Sequence, residues 1–131
     1  MRQARRQPGD TPLARILITE DEDSLRRFVA RALRIDGHDT VEAADGAEGL
    51  EQLLKGGFDL LLSDIRMPVM DGIELAHQAH AACPGLKILL MTGYAEQRER
   101  ADDLARKIVD VVSKPFSLPD IRQAVAAALA A

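Results

Sequence analysis

Four apolar runs of strand length decide what this chain can fold into: ARILIT (14–19), DLLLSD (59–64), LKILLMT (86–92) and IVDVVS (108–113). A strand that is apolar at nearly every position cannot lie on a sheet with one wet face and needs cover on both sides. The stretches between them have the other period. Leu25, Phe28, Val29, Ala32 and Leu33 mark one helical face, and Gly37 follows as a stop. HDTVEA (38–43) alternates weakly and reads as an edge strand. A second helix is capped by Asp45, carries Leu50, Leu53 and Leu54, and ends at Gly56 and Gly57.

The third helix is expected over 73–82, stopping before Cys83-Pro84-Gly85. A polar helix follows over 96–107, with a thin stripe of Ala101, Leu104 and Ala105. Ser117 and Asp120 have capping-box spacing, with Pro119 in the first turn of a last helix built on Ile121, Val125 and Leu129. Five strands thus alternate with five helices, which implies a parallel, doubly wound α/β sheet with right-handed crossovers.

At 131 residues the chain is one domain with room for a full core. Aromatic residues are only 3%, so that core is aliphatic. The lone Cys83 has no internal disulfide partner and reads as a small buried side chain of a reduced, cytoplasmic protein. Of the net charge of −4, Arg2, Arg5 and Arg6 against Asp10 put +2 on residues 1–14, which leaves −6 on the rest. An acidic body argues against direct nucleic-acid binding. Residues 1–13 read as a basic, disordered tail and 14–131 as the domain. No apolar run suits a signal peptide or a membrane span.

In open sheets of this kind, function collects at the carboxyl ends of the strands. The first strand ends in Glu20-Asp21, the third in Asp64, the fourth in Thr92 and the fifth in Lys114-Pro115. Three close carboxylates do not all stay ionised without a cation, and oxygen ligands at an open site suit Mg²⁺. A metal on one side and Lys114 on the other would neutralise a doubly charged group between them, with Thr92 donating to a third oxygen. That describes a phosphoryl pocket, with Asp64 as the well-placed nucleophile.

Taken singly, each motif has a plainer reading. Residues 20–23 suit a solvated acidic helix start, and Asp71-Gly72 suits a cap and turn. His77 and His80 lack a third ligand nearby and read as solvated or partly buried. The weight lies in their co-occurrence at four strand ends.

ILITEDEDSLRRF, LLLSDIRMPVMDG, LLMTGY and VVSKPF fall in the order and spacing of the receiver domain of two-component response regulators, which the chain resembles from about residue 14 to 129. The resemblance implies the CheY-like, flavodoxin-like (βα)5 fold with strand order 2-1-3-4-5. It makes Asp64 the phosphoacceptor, Asp21 a direct Mg²⁺ ligand and Glu20 a ligand acting largely through water. Arg66 would lend its backbone carbonyl to the metal, Thr92 would be the switch hydroxyl and Lys114 the pocket lysine. It also implies a cis Lys114–Pro115 bond aiming the ammonium into the pocket.

Two positions depart from the family pattern. Glu20 stands where aspartate is commoner, and Val111 stands where a switch aromatic is expected. TGY at 92–94 with valines before SKPF is similar to a subgroup with its aromatic after the threonine, which makes Tyr94 the switch candidate. Several motifs also resemble the stand-alone cell-cycle receivers of alphaproteobacteria.

The function implied is that of a single-domain response regulator and not an enzyme, its chemistry limited to self-phosphorylation and autodephosphorylation. It would take its phosphoryl group from a sensor histidine kinase or histidine phosphotransfer protein and signal to a downstream protein partner. No output domain is expected after the last helix. A related Mg²⁺ phosphatase would want a second aspartate where Arg66 stands. A flavin carrier would want a Ser/Thr/Gly phosphate loop where Glu20-Asp21-Glu22 stand. A degenerate receiver that binds partners without phosphorylation would not need the full set of pocket residues found here.

Overall fold

The computed structural model describes residues 13–93, 100, 101, 104 and 107–131. Its elements run β1 (Arg15–Thr19), α1 (Asp23–Ile35), β2 (Asp39–Ala43), α2 (Gly46–Leu54), β3 (Leu60–Asp64), α3 (Gly72–Ala82), β4 (Lys87–Thr92), β5 (Asp110–Ser113) and α4 (Leu118–Ala130). All five strands are parallel, in the order β2-β1-β3-β4-β5. This is the expected doubly wound sheet. Most of the polar helix expected over 96–107, and the tail over 1–12, lie outside the described residues. Of its stripe, Ala101 and Leu104 are both buried in the core.

Strand alternation divides that core. Leu17, Leu61, Ile88 and Leu90 face α2 and α3, whereas Ile16, Ile18, Leu62 and Leu89 face α1 and α4. Every residue of β3 is buried, as its continuous apolar run requires. The helix ends follow local chemistry. Asp45 Oδ1 accepts from Glu48 N at 2.8 Å. Ser117 and Asp120 close the reciprocal capping box, and Gly37 takes φ +92° after α1.

Two helices bury somewhat different faces from those expected. Phe28 is 39% and Leu54 65% exposed, while Ala30, Gly46 and Gly49 are buried. In α2 the line Gly46, Gly49, Leu53 faces inward, which turns Leu54 one residue (about 100°) outward. The glycine is structural there: a Cβ on Gly49 would lie 2.4 Å from Thr19 Cγ2, so no larger residue lets α2 approach the sheet so closely. Cys83 is half-buried rather than fully buried, because it ends α3 beside an exposed turn. Among the described residues no helix is long and apolar enough to cross a membrane.

Candidate phosphoryl and metal site

The carboxyl ends of β1, β3 and β5 meet at a cleft of about 710 Å³. Glu20, Asp21, Asp64, Arg66 and Lys114 line it, with Leu25, Pro115 and Phe116 forming an apolar wall. Lys114 Nζ lies 2.8 Å from Glu20 Oε1 and 3.2 Å from Asp64 Oδ1. The Lys114–Pro115 peptide bond is cis. Glu20 is 1% exposed and Asp64 6%, while Asp21 is exposed at the mouth. Ligand oxygens of Glu20, Asp21 and Asp64 all lie within 4.8 Å of one another. Three hard anionic donors, one of them open to solvent, suit a Mg²⁺ that keeps several of its waters.

The acidic corner is tied down from the main chain. Glu22 N donates to Glu20 Oε2 at 3.0 Å, and Arg26 Nη1 donates to the Glu20 carbonyl at 2.9 Å. Arg26 also pairs with Asp23 at 2.8 Å, so α1 starts with its acidic residues fixed. Glu20 therefore gives one oxygen to Lys114 and the other to a backbone N–H.

Burial raises the pKa of Glu20, although Lys114 and the Glu22 N–H oppose it and Asp64 adds to it. Burial likewise raises Asp64, against the charge and hydrogen bond of Lys114. Burial would lower Lys114, but its bond to Glu20 and the charge of Asp64 outweigh that and raise it. Lone burial is costly to each charge, and the two acids and the base hold each other in place.

The remaining candidates are less central. Thr92 is buried at the end of β4, with Lys114 N donating to its carbonyl at 2.8 Å; Gly93 and not Thr92 lines the cleft. Val111 is packed in the core on the α2/α3 side. Tyr94 lies outside the described residues. His77 is exposed and His80 half-buried, with no acidic ligand set about them among the described residues.

Three residues outside the predicted set of site residues also shape the site. Ser63 Oγ donates to the Asp64 carbonyl at 2.9 Å, and Thr19 Oγ1 donates to Ser63 Oγ. Gly72 N donates to Ile65 O at 2.7 Å, and a Cβ on Gly72 would lie 2.1 Å from the Asp64 carbonyl oxygen. The serine beside Asp64 and the Asp-Gly pair were visible signals, but their partners are distant in sequence.

Residues 16–126 match the family model of the response regulator receiver domain. The chain is 43% identical over 109 residues to the response regulator receiver protein CpdR of Brucella abortus (strain 2308), a match covering 83% of this chain and 91% of that protein. The solved chemotaxis response regulator CheY4 of Vibrio cholerae superposes with a TM-score of 0.80 at 28% identity, over 88% of this chain and 98% of that one. The response regulator TrrA of Thermotoga maritima, solved in complex with Mg²⁺–BeF, gives 0.80 at 28% identity, over 88% and 99%.

Proposed function

This chain belongs to the family of response regulator receiver domains, and on that premise we propose that it is a phosphorylation switch with Asp64 as acceptor. The supporting observation is the triangle of Glu20, Asp21 and Asp64 oxygens closed by the Lys114 ammonium. A carboxylate oxygen of Asp64 attacks the phosphorus of a donor phosphohistidine. The P–N bond breaks, its electron pair returns to the imidazole nitrogen, and an aspartyl phosphate remains. Lys114, already 3.2 Å from Asp64, stabilises charge on the transferring group from the β5 side.

Glu20, Asp21, Asp64 and the Arg66 carbonyl would hold Mg²⁺. When bound, it supplies neutralisation of phosphoryl charge. The donor is a sensor histidine kinase or histidine phosphotransfer protein, and the likeness to CpdR supports that choice through the shared family. The output is a change in affinity for a downstream protein in the cytoplasm, not turnover of a substrate. Thr92 engages the phosphoryl oxygens, and with Val111 too stiff to toggle, Tyr94 and the 94–107 segment carry the change.

Intact mass after treatment with an acyl phosphate and Mg²⁺ tests this. The wild type gains one phosphoryl group, and Asp64→Asn, nearly isosteric, gains none. Phosphoryl mass on the Asp64→Asn protein would place the acceptor elsewhere.

A further inference from the structure

Thr19 and Ser63 immediately precede the acidic ends of β1 and β3, are fully buried, and are direct partners across the two strands. Their hydroxyls form a chain of fixed direction. The Asp64 carbonyl can only accept, so Ser63 spends its one proton there, and Thr19 must donate to Ser63. Thr19 is held for this by α2. Its methyl lies against Gly49, where a Cβ would come within 2.4 Å, which leaves the hydroxyl turned across the sheet. On the far side, Gly72 closes on the same Asp64 oxygen, where a Cβ would come within 2.1 Å.

We propose that Thr19 and Ser63 are positioning residues for Asp64. The relay holds the Asp64–Ile65 peptide plane, and through it the Cα from which the Asp64 carboxylate projects, and it does so from the residue next to Glu20. It thereby sets the separation of the acceptor from the acidic corner. The relay rests on the reading of Asp64 as phosphoacceptor. It lies behind the site, touches no substrate, and acts only through the Asp64 backbone.

Ser63→Ala, Thr19→Val and the double variant test this, each followed by thermal melting, by Mg²⁺ titration and by the rate of phosphoryl gain from an acyl phosphate at saturating Mg²⁺. Either single change leaves a buried polar group short of a partner and lowers the melting temperature. The double variant also removes the Thr19 hydroxyl that Ser63→Ala leaves without a partner, and so recovers part of the loss seen in Ser63→Ala. Its Asp64 carbonyl still lacks a donor, so its rate stays depressed together with that of Ser63→Ala. The depression is roughly three- to tenfold, short of the ~100-fold of a full ångström's misplacement. Ser63→Cys, a weaker donor, gives an intermediate rate. A rate that recovers in step with the melting temperature, or a wild-type rate in Ser63→Ala, would overturn the relay and leave Asp64 as acceptor. A wild-type protein that gains no phosphoryl mass would remove the acceptor and the relay together.

Discussion

The Lys114 ammonium sits 2.8 Å from Glu20 Oε1, an ion pair in which the acid is 1% exposed and belongs to the opposite end of the chain. It closes β5 onto β1 across the intervening β3 and β4. Lys114→Met keeps the length and loses the charge, leaving Glu20 and Asp64 to face each other. We expect a loss of about 2 kcal/mol in denaturant unfolding without metal. That is below the ~3–5 of a wholly buried broken pair, because the lysine is reached by solvent. Added Mg²⁺ should restore part of it. Stability equal to wild type would mean the pair contributes nothing net.

The raised pKa values of Glu20 and Asp64 set a direction for pH dependence. A carboxyl whose folded value lies above its unfolded value contributes stability that is present below the unfolded value. That stability is lost as pH rises through the folded value. Asp36 and Asp71 are lowered and act with the opposite sign: Asp36 through its bond from Arg122, and Asp71, which burial alone would raise, through the Glu74 N–H and Arg100 together. A melting curve against pH therefore mixes both. The difference with and without Mg²⁺ removes the mixing if, as proposed, the site acids are the groups that exchange protons for metal. The Mg²⁺-induced rise in Tm should grow from the ordinary carboxylate range upward and level off once Glu20 and Asp64 are ionised. A rise independent of pH over that range would argue against these acids as the ligands.

Val69 has φ +71° and is 83% exposed, and Met70 N donates across it to Pro68 O at 2.8 Å. This is a γ-turn of the strained, positive-φ kind, occupied by a β-branched residue that gains no burial there. Val69→Asn should raise stability by about 1 kcal/mol by relieving that strain, as read in urea unfolding. An unchanged or lower midpoint would show that the loop is not strained at this position.

How much of this was legible in the sequence follows from what each feature depends on. The runs 14–19 and 59–64 name their strands, because continuous apolarity has one structural use in a βα repeat. Asp45, Asp71 and Ser117 cap the helices they precede, since capping is decided within four residues. The acidic ends and Lys114 were legible as a set because topology alone brings parallel strand ends together. The Glu20–Lys114 contact, the Thr19–Ser63 relay and the pressure of Gly49 on Thr19 were not. Each depends on register and helix height, which residues dozens of positions apart decide jointly. Nor does the sequence show that His38 Nδ1 is buried with no hydrogen-bond partner among the described residues.

The last prediction concerns how the site reports its state. Asp71 caps α3 with Oδ1, which accepts from Glu74 N at 2.9 Å, and its Oδ2 accepts from Arg100 Nη2 at 2.8 Å. The loop between Asp64 and Asp71 is thus linked to the stretch that follows Thr92. Lys107 Nζ, 3.1 Å from His77 Nδ1, makes a second polar link from that stretch to α3. Both links are exposed, and an exposed pair contributes only about 0.2–1 kcal/mol, small enough to be exchanged if, as proposed, Thr92 moves toward a phosphoryl group. If the Arg100 link belongs to the resting state, removing it favours the switched one, and by linkage the site then binds a phosphoryl mimic more tightly. Arg100→Gln should tighten binding of beryllofluoride with Mg²⁺ by about two- to fivefold. Asp71→Asn, which keeps the cap, should do the same, and the double variant should add little to either. Amide exchange on adding the mimic should change most from Thr92 to Lys107, and Tyr94→Ala should blunt that change while Asp64 is still phosphorylated. Exchange confined to β5 and α4, with both charge variants binding as wild type, would move the signal route to the other side of the sheet.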